Sequence, residues 1–413
     1  MNKSLVSIKK LRSIDNIVEV REAIWEAVDL IGGLEEAFRR SDRVLIKPNL
    51  LMPMNYRDGG VTNPIVVEAV IDILQDFGIK KIIIGEGAVV GEKTLKCFEA
   101  TGLDKIAERK NVLIVDLKKD KFVPMSITNG KVFRILKIPE IVANADAVIN
   151  IPVLKTHDIF PVSLGLKNMK GVIHENDKQR FHSLDLAQCI VDLNKLVLPR
   201  LTIIDGTIGM EGLGPVYGTP ANMGIIIASN DTVAADTIGS MVMGINPFDT
   251  KYIKLAAEQE LGNAYISKIE VLGNSIKEVQ KKFKRIKLED ILKSREFRDF
   301  GIKIVEKGAC SGCKALITSL ITDAVKSEKL EKLKNRVFII GPENKAKELY
   351  HLTGKAVFLG NCTRKIRTDS GIYIAGCPPH ILNVKKALGY TLKDFNNFTF
   401  MKTHLEKFGF RES

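Results

Sequence analysis

RVLIKP (43–48), PIVVEAVIDILQDFG (64–78) and KKIIIGEG (80–87) read in succession as strand, helix and strand. The first and third are near-continuous runs of Val, Ile and Leu. That is the pattern of parallel strands covered on both faces, not the alternation of half-exposed ones. Between them, Pro64 suits a first helical turn, where its missing N–H is no loss, and Gly78 suits the helix end. Further apolar runs of strand length are NVLIVDL (111–117), DAVINIP (146–152), LTIIDG (201–206) and MGIIIAS (223–229). Such alternation predicts an α/β fold built on a doubly wound, mostly parallel sheet.

The segment SIKEVQKKFKRIKLEDILKSREF (275–297) breaks the pattern, being dense in charge and without strand signals. It reads as a basic helical linker over 275–300, between a first domain at 1–274 and a second, smaller α/β domain at 301–413. In the second domain the pattern predicts a helix over 314–326, then strand RVFIIG (336–341) and helix NKAKELYHL (344–352). Strands KAVFLG (355–360) and GIYIAG (371–376) and helix HILNVKKALG (380–389) complete it.

The chain has 413 residues, 45% hydrophobic and 27% charged, which excludes wholesale disorder and leaves room for more than one core. No apolar run approaches the roughly 18 residues that span a bilayer. The basic N-terminus lacks the apolar core of a secretory signal, so a cytoplasmic protein without membrane attachment is expected. With 62 Lys+Arg against 49 Asp+Glu, the net charge of +13 points to an anionic partner. Against nucleic acid stand an aromatic content of 6% and the lack of RNP, KH or helix-turn-helix signatures. A small phosphorylated or carboxylated molecule is the favoured partner. RNA is the alternative, resting on KKFKRIK (281–287).

Four of the six cysteines, Cys310, Cys313, Cys362 and Cys377, fall in the second domain, within GACSGCKAL, FLGNCTR and IAGCPPH. Cys310 and Cys313 precede a helix, Cys362 follows a strand, and Cys377 lies between a strand and a helix. Strand C-ends and helix N-ends meet at one edge of a parallel layer, so all four thiols can converge. Helix N-termini also favour thiolates and an anionic cluster. Four thiolates suit a [4Fe–4S] cluster or structural zinc. Zinc ribbons usually carry two short C-x-x-C knuckles, and only the first pair here is that close, which favours iron–sulfur over zinc. Cys97 and Cys189 sit in helical patterns and read as buried small hydrophobes.

Polar residues gather in the first domain. VLKTHDIF and SLGLKNMKGVIHENDKQRFH place Lys155, His157, Lys167, Asn168, Lys170, His174 and His182 within 28 residues, while Lys47 and Asn49 end a strand in IKPNL. Side chains at strand ends face the ligand-binding edge of such a sheet. The lysines suit a phosphate or carboxylate, and the histidines suit proton transfer, orientation or metal ligation. In LTIIDGTIGMEGLGP (201–215), Asp205 ends a predicted strand, a glycine-rich loop follows, and Glu211 is a candidate base or metal ligand. Lys155, His157, Asp205 and Glu211 are therefore candidate catalytic residues. Lys47, Asn49, Lys167, Asn168, Lys170, His174 and His182 are candidate substrate contacts.

IKPNLL, TNPIVVEAVID, GEGA, PVLKTH, LGLKNMKGVI, IIDGTIGMEGLGP and SNDTVAADTIG follow, in order, the pattern of the domain of unknown function 362 family, across residues 40 to 245. Members of that family are often iron–sulfur proteins, so the resemblance implies a cluster. This chain lacks the ferredoxin-like insert of many members and carries the CSGC…GCPPH domain in its place. CSGC and GCPPH resemble the motifs around the proximal cluster of nickel–iron hydrogenase small subunits and related complex I subunits. The expectation is an iron–sulfur oxidoreductase or lyase acting on a small anion, with a redox partner protein. The alternatives are an electron carrier or scaffold without chemistry of its own, and a zinc-stabilised RNA-binding protein.

Overall fold

Strands and helices form where the apolar runs and their caps place them. In the computed structural model, residues 3–287, 290–291, 299–344, 354–391 and 394 are described. Two units emerge: residues 1–181 with 185–285, and residues 182–184 with 286–413.

The first unit contains β1 (Ser4–Lys10), β2 (Arg43–Pro48), β3 (Lys81–Glu86), β4 (Leu113–Asp116), β5 (Phe122–Ser126), β6 (Ile135–Pro139), β7 (Ala147–Ile151), β8 (Val153–Thr156), β9 (Val162–Ser163), β10 (Leu201–Glu211), β11 (Thr219–Ser229) and β12 (Ile269–Gly273). The main sheet runs β12-β1-β11-β10-β7-β2-β3-β4, with β8 joined to β10 and β9 joined to β8. The steps from β10 through β7, β2 and β3 to β4 are all parallel, whereas β11 is antiparallel to both β1 and β10. A separate hairpin pairs β5 with β6.

Both faces of the sheet are covered, which accounts for the unbroken apolar runs. Along β2, Leu45 enters one core while Val44 and Ile46 enter the other. Ile83 against Ile82 and Ile84 on β3 repeats this division, as does Val148 against Ala147 and Ile149 on β7. The helix Pro64–Phe77 connects β2 to β3 as expected. Asn63 caps it by accepting from the amide of Ile65, and Gly78, at φ +99°, returns its amide to the last turn.

Two expectations change. The strand expected to stop at Gly206 continues to Glu211 and pairs with β11, with a register slip between Gly206 and Ile208. Asp205 therefore lies within a strand, and the first glycines of the expected loop are strand residues. Of the helix expected across 275–297, the described residues show the turn Ile276–Val279 and helical residues at 290–291. Residues 280–287 run on without helix, and Phe283 is buried in the core of the first unit. Arg285 bridges to Gly212, and the amide of Gly212 donates to Lys284 O at 2.7 Å. Apolar side chains at Val279 and Phe283 thus pull this basic stretch onto the unit.

The second unit contains β13 (Lys303–Glu306), β14 (Val337–Ile340), β15 (Ala356–Leu359) and β16 (Ile372–Ile374), all parallel and in chain order across the sheet. The helix Ser311–Lys326 follows β13, and Ile381–Ala387 follows β16. The helix expected over 344–352 lies, apart from Asn344, outside the described residues, as do 288–289 and 292–298 of the expected linker. No helix among the described residues is long and apolar enough to cross a membrane.

Candidate functional site: a buried lysine cluster and four cysteines

The order β7-β2-β3-β4 sets the position of the first site. From β2 the chain proceeds outward to β3 and β4, then returns to place β7 on the other side of β2. The C-terminal ends of β2 and β7 therefore flank a topological switch point, where α/β sheets open a crevice for ligands. Lys47 and Asn150 are register partners across that pair.

Lys47 is 1% exposed, and its ammonium makes three hydrogen bonds: to Pro48 O at 2.7 Å, Glu86 Oε2 at 2.8 Å and Asn168 Oδ1 at 3.3 Å. Glu86 also accepts from the amides of Leu50 at 2.9 Å and Gly87 at 2.8 Å. The pair is thus buried but well satisfied, the condition under which losing one partner is costly. Gly171 permits it. A Cβ there would lie 2.1 Å from Glu86 Oε1 and 2.5 Å from Lys47 Cε.

A line of amides connects this pair to a second lysine. Asn150 donates to Gly165 O at 2.9 Å and accepts from Asn168 Nδ2 at 2.8 Å. Asn168 in turn accepts from Asn49 Nδ2 at 2.9 Å, and Asn49 Oδ1 accepts from Lys155 Nζ. Lys155, 2% exposed, donates also to Gly60 O at 2.8 Å. Lys178 is held in the same manner by Gly87 O at 2.6 Å and Ala88 O at 3.0 Å. Carbonyl oxygens satisfy the N–H groups of these lysines without neutralising their charge.

Burial and mutual repulsion show in the acidities. Burial, then the charges of Lys167 and Lys47, hold Lys155 well below the ordinary lysine value. Lys170 is lowered likewise by burial and by Lys167 and Lys178. Burial brings Lys167 to about 8, against an opposing pull from Asp158, and brings Lys178 to about 8, against Glu86. Lys47 is also lowered by burial, with Glu86 acting in the other sense. Five lysines thus share one strand-end region, where Lys167 disfavours the charges of Lys155 and Lys170, Lys47 those of Lys155 and Lys178, and Lys178 that of Lys170.

His157 belongs to the same region. Burial, followed by the charge of Lys167, lowers it to about 4. Its Nδ1 lies 2.6 Å from Asp158 Oδ1. The Ile159 amide donates to both His157 Nδ1, at 3.0 Å, and Asp158 Oδ1, at 2.9 Å, so the two side chains share one backbone donor.

The short helix Gly165–Asn168 carries Lys167 and Asn168, and buried polar groups fix it. Asp236 accepts from Gly165 N at 2.6 Å and Leu166 N at 2.9 Å, and Asn194 donates to Leu166 O at 2.8 Å. Burial raises Asp236 to about 8. Glu86, Asn150, Lys178 and Asp236 are absent from the sequence expectations. Glu86 stands in GEGA at the end of β3, a strand-end position by the same rule that selected Lys47. Lys178 and Asp236 lie within helices, where their spacing carries no such mark.

The other predicted residues are placed differently. Asp205 is buried and accepts from Asn63 N at 2.7 Å and from Thr207 N and Oγ1 at 2.9 and 2.7 Å, which fastens the start of the helix Pro64–Phe77 to β10. Glu211 accepts from Lys284 N at 2.9 Å and so holds the segment before Arg285. His174 accepts from Asn176 N at 3.2 Å and stands edge-on to Phe122. His182 belongs to the second unit, where its Nδ1 is 3.0 Å from Ser311 Oγ.

In that second unit Cys310 caps the helix Ser311–Lys326 and Cys313 lies in its first turn. Cys362 follows β15, and Cys377 follows β16. The two loops are tied by Asn361 N to Gly376 O at 2.9 Å and Gly376 N to Asn361 Oδ1 at 2.9 Å. A Cβ added to Gly360, at φ +97°, would lie 3.5 Å from the sulfurs of both Cys313 and Cys362. A hydrogen bond from Cys313, together with backbone amides, lowers the Cys310 thiol to about 5. The same hydrogen bond, then burial, then the charges of Cys310, Cys362 and Cys377 push Cys313 up. The four thiols therefore share one locality.

Among the described residues, no three Cys, His, Asp or Glu side chains close on a point that could hold one metal ion. Cys97 and Cys189 are buried in the first unit, with burial raising both thiols.

Over 238 residues the chain is 29% identical to a thylakoid-associated protein of Synechocystis sp., a stretch covering 56% of this chain and 72% of that protein. The lactate racemase apoprotein from Thermoanaerobacterium thermosaccharolyticum superposes with a TM-score of 0.39 and 12% identity, over 59% of this chain and 58% of that one. This chain thus spans less than two thirds of that structure. The family model described as Domain of unknown function (DUF362) matches residues 44–241, the stretch that holds Lys47, Glu86, Lys155, Lys167, Lys178 and Asp236.

Proposed function

We propose that the chain is an iron–sulfur enzyme that binds a small phosphorylated or carboxylated molecule at the lysine cluster of its first unit. The observation that carries this reading is the accumulation of Lys47, Lys155, Lys167, Lys170 and Lys178 at a switch-point edge, where the hydrogen bonds of Lys155 and Lys178, among the described residues, all go to carbonyl oxygens. An anion bound there restores the charge balance that burial has upset, and lysines are suited to grip phosphate or carboxylate as point charges. His157 is the group placed to exchange a proton with the bound molecule. Cys310, Cys313, Cys362 and Cys377 are the ligands of a [4Fe–4S] cluster, which supplies electrons or a Lewis-acidic iron.

Two assays test the reading. Protein isolated without oxygen should contain iron and acid-labile sulfide and show broad visible absorption, all lost in Cys377→Ser. Colourless protein with stoichiometric zinc would remove the cluster. Phosphate or pyrophosphate should raise the melting temperature well beyond chloride at equal ionic strength, and less so in Lys155→Met. Equal effects of all three salts would remove the anion site.

A further inference from the structure

The lysines of the first unit differ in how their Nζ atoms are engaged. Lys47 donates to three oxygens, one of them a carboxylate, and so is fixed as an ammonium. Lys155 and Lys178 each donate to two oxygens while nearly buried. Lys170 lies over the Phe181 ring, its Nζ 5.9 Å from the centroid. Lys167 is the exception: half-buried, with a single hydrogen bond of 3.5 Å to Ser163 Oγ among the described residues. That distance is at the outer limit of a hydrogen bond, so the amine is held by its backbone more than by its head group. The backbone is held firmly, because Asp236, Asn150 and Asn194 bind the amides and carbonyls of Gly165 and Leu166 beside it.

We propose that Lys167 is an imine-forming amine, which condenses with the carbonyl carbon of a small oxo acid whose carboxylate is held by the neighbouring lysine charge. The inference rests on the anion-binding reading of this site and adds to it a substrate class. A lysine that is desolvated and set among other cations has its neutral, nucleophilic form favoured. Burial, with Lys155 and Lys170 as neighbours within reach of its charge, provides those conditions. The Nζ lone pair forms the new bond to carbon, and the carbonyl π pair moves to oxygen. The two amine protons leave with that oxygen as water, giving the imine, and one further proton gives the iminium. No oxidant or reductant takes part. The Asp158–His157 pair, within the field of Lys167, is placed to relay the proton.

Borohydride reduction of the full-length protein in the presence of pyruvate tests this, with lactate as the probe that has no carbonyl. Peptide mapping should find one reduced pyruvate adduct per chain, on the peptide containing Lys167, absent with lactate and absent in Lys167→Arg. The anion site is read separately, on the parent protein, by the rise in melting temperature with phosphate. If phosphate stabilises the parent protein but no adduct appears on Lys167, or adducts scatter over surface lysines, the imine is wrong and the anion site stands. If phosphate does not stabilise the parent protein, the anion reading fails and the imine with it.

Discussion

Lys47 and Glu86 are the residues on which the site's floor depends. Their charges are 1% and 3% exposed, and each completes its hydrogen bonding through the other and nearby backbone. Glu86→Gln leaves the ammonium buried without its countercharge, and the expected loss is about 3–5 kcal/mol in denaturant unfolding. Gly171→Ala forces a methyl against the same pair, and the expected cost is about 1–3 kcal/mol. A melt of either variant within error of the parent would contradict this account of the floor.

The lysines also impose a pH dependence with a definite sign. Lys167 and Lys178 stand at about 8 in the fold against 10.5 when unfolded. Between those values the unfolded chain binds more protons than the folded one, so these residues make unfolding free energy rise as pH increases from about 8 to 10.5. Lys178→Met should flatten that rise, as measured by urea unfolding across the interval.

At the level of elements, the helix Gly165–Asn168 is too short to hold itself, and buried polar side chains from elsewhere in the first unit do so. Asp236→Ala removes the acceptor for two buried amides, an expected loss of about 1–3 kcal/mol for each unsatisfied group. Anion affinity should fall with stability, since Lys167 and Asn168 ride on that helix. Calorimetric titration with phosphate checks it, and unchanged affinity in a folded variant would refute the linkage. In the second unit, Cys377→Ser should abolish iron retention while the sheet of β13–β16 remains, as read by metal analysis and circular dichroism.

The parallel elements were legible from RVLIKP, KKIIIGEG and DAVINIP, because strands covered on both faces leave no polar alternation. Lys47, Asn49 and Lys155 were legible for a related reason, as polar residues ending such runs. The loop expected after Asp205 is instead strand, because glycine within LTIIDGTIGME reads as a loop, whereas β11 pairs with it across a register slip. The charge density over 275–287 marked a solvated stretch, which most of its described residues are, but could not show that Val279 and Phe283 anchor it or that 280–287 run without helix. Asp236 and Lys178 could not have been read at all, since their partners lie 71 and 91 residues away in the chain.

For the molecule as a whole, the net charge of +13 gains a location for part of its excess. Some of it is surface charge. Some is drawn inward to the C-terminal edge of the main sheet, where water screens it least. Those buried lysines make the central claim open to direct measurement. An anion that binds there stabilises the charged form of each lysine, so near pH 8 binding must take protons from solution. Calorimetric titration of the holoprotein with phosphate at pH 8, repeated in buffers of different ionisation enthalpy, reads that uptake. The account predicts net proton uptake on saturation, reduced in Lys167→Met. Binding with no proton uptake, or no binding at all, would contradict it.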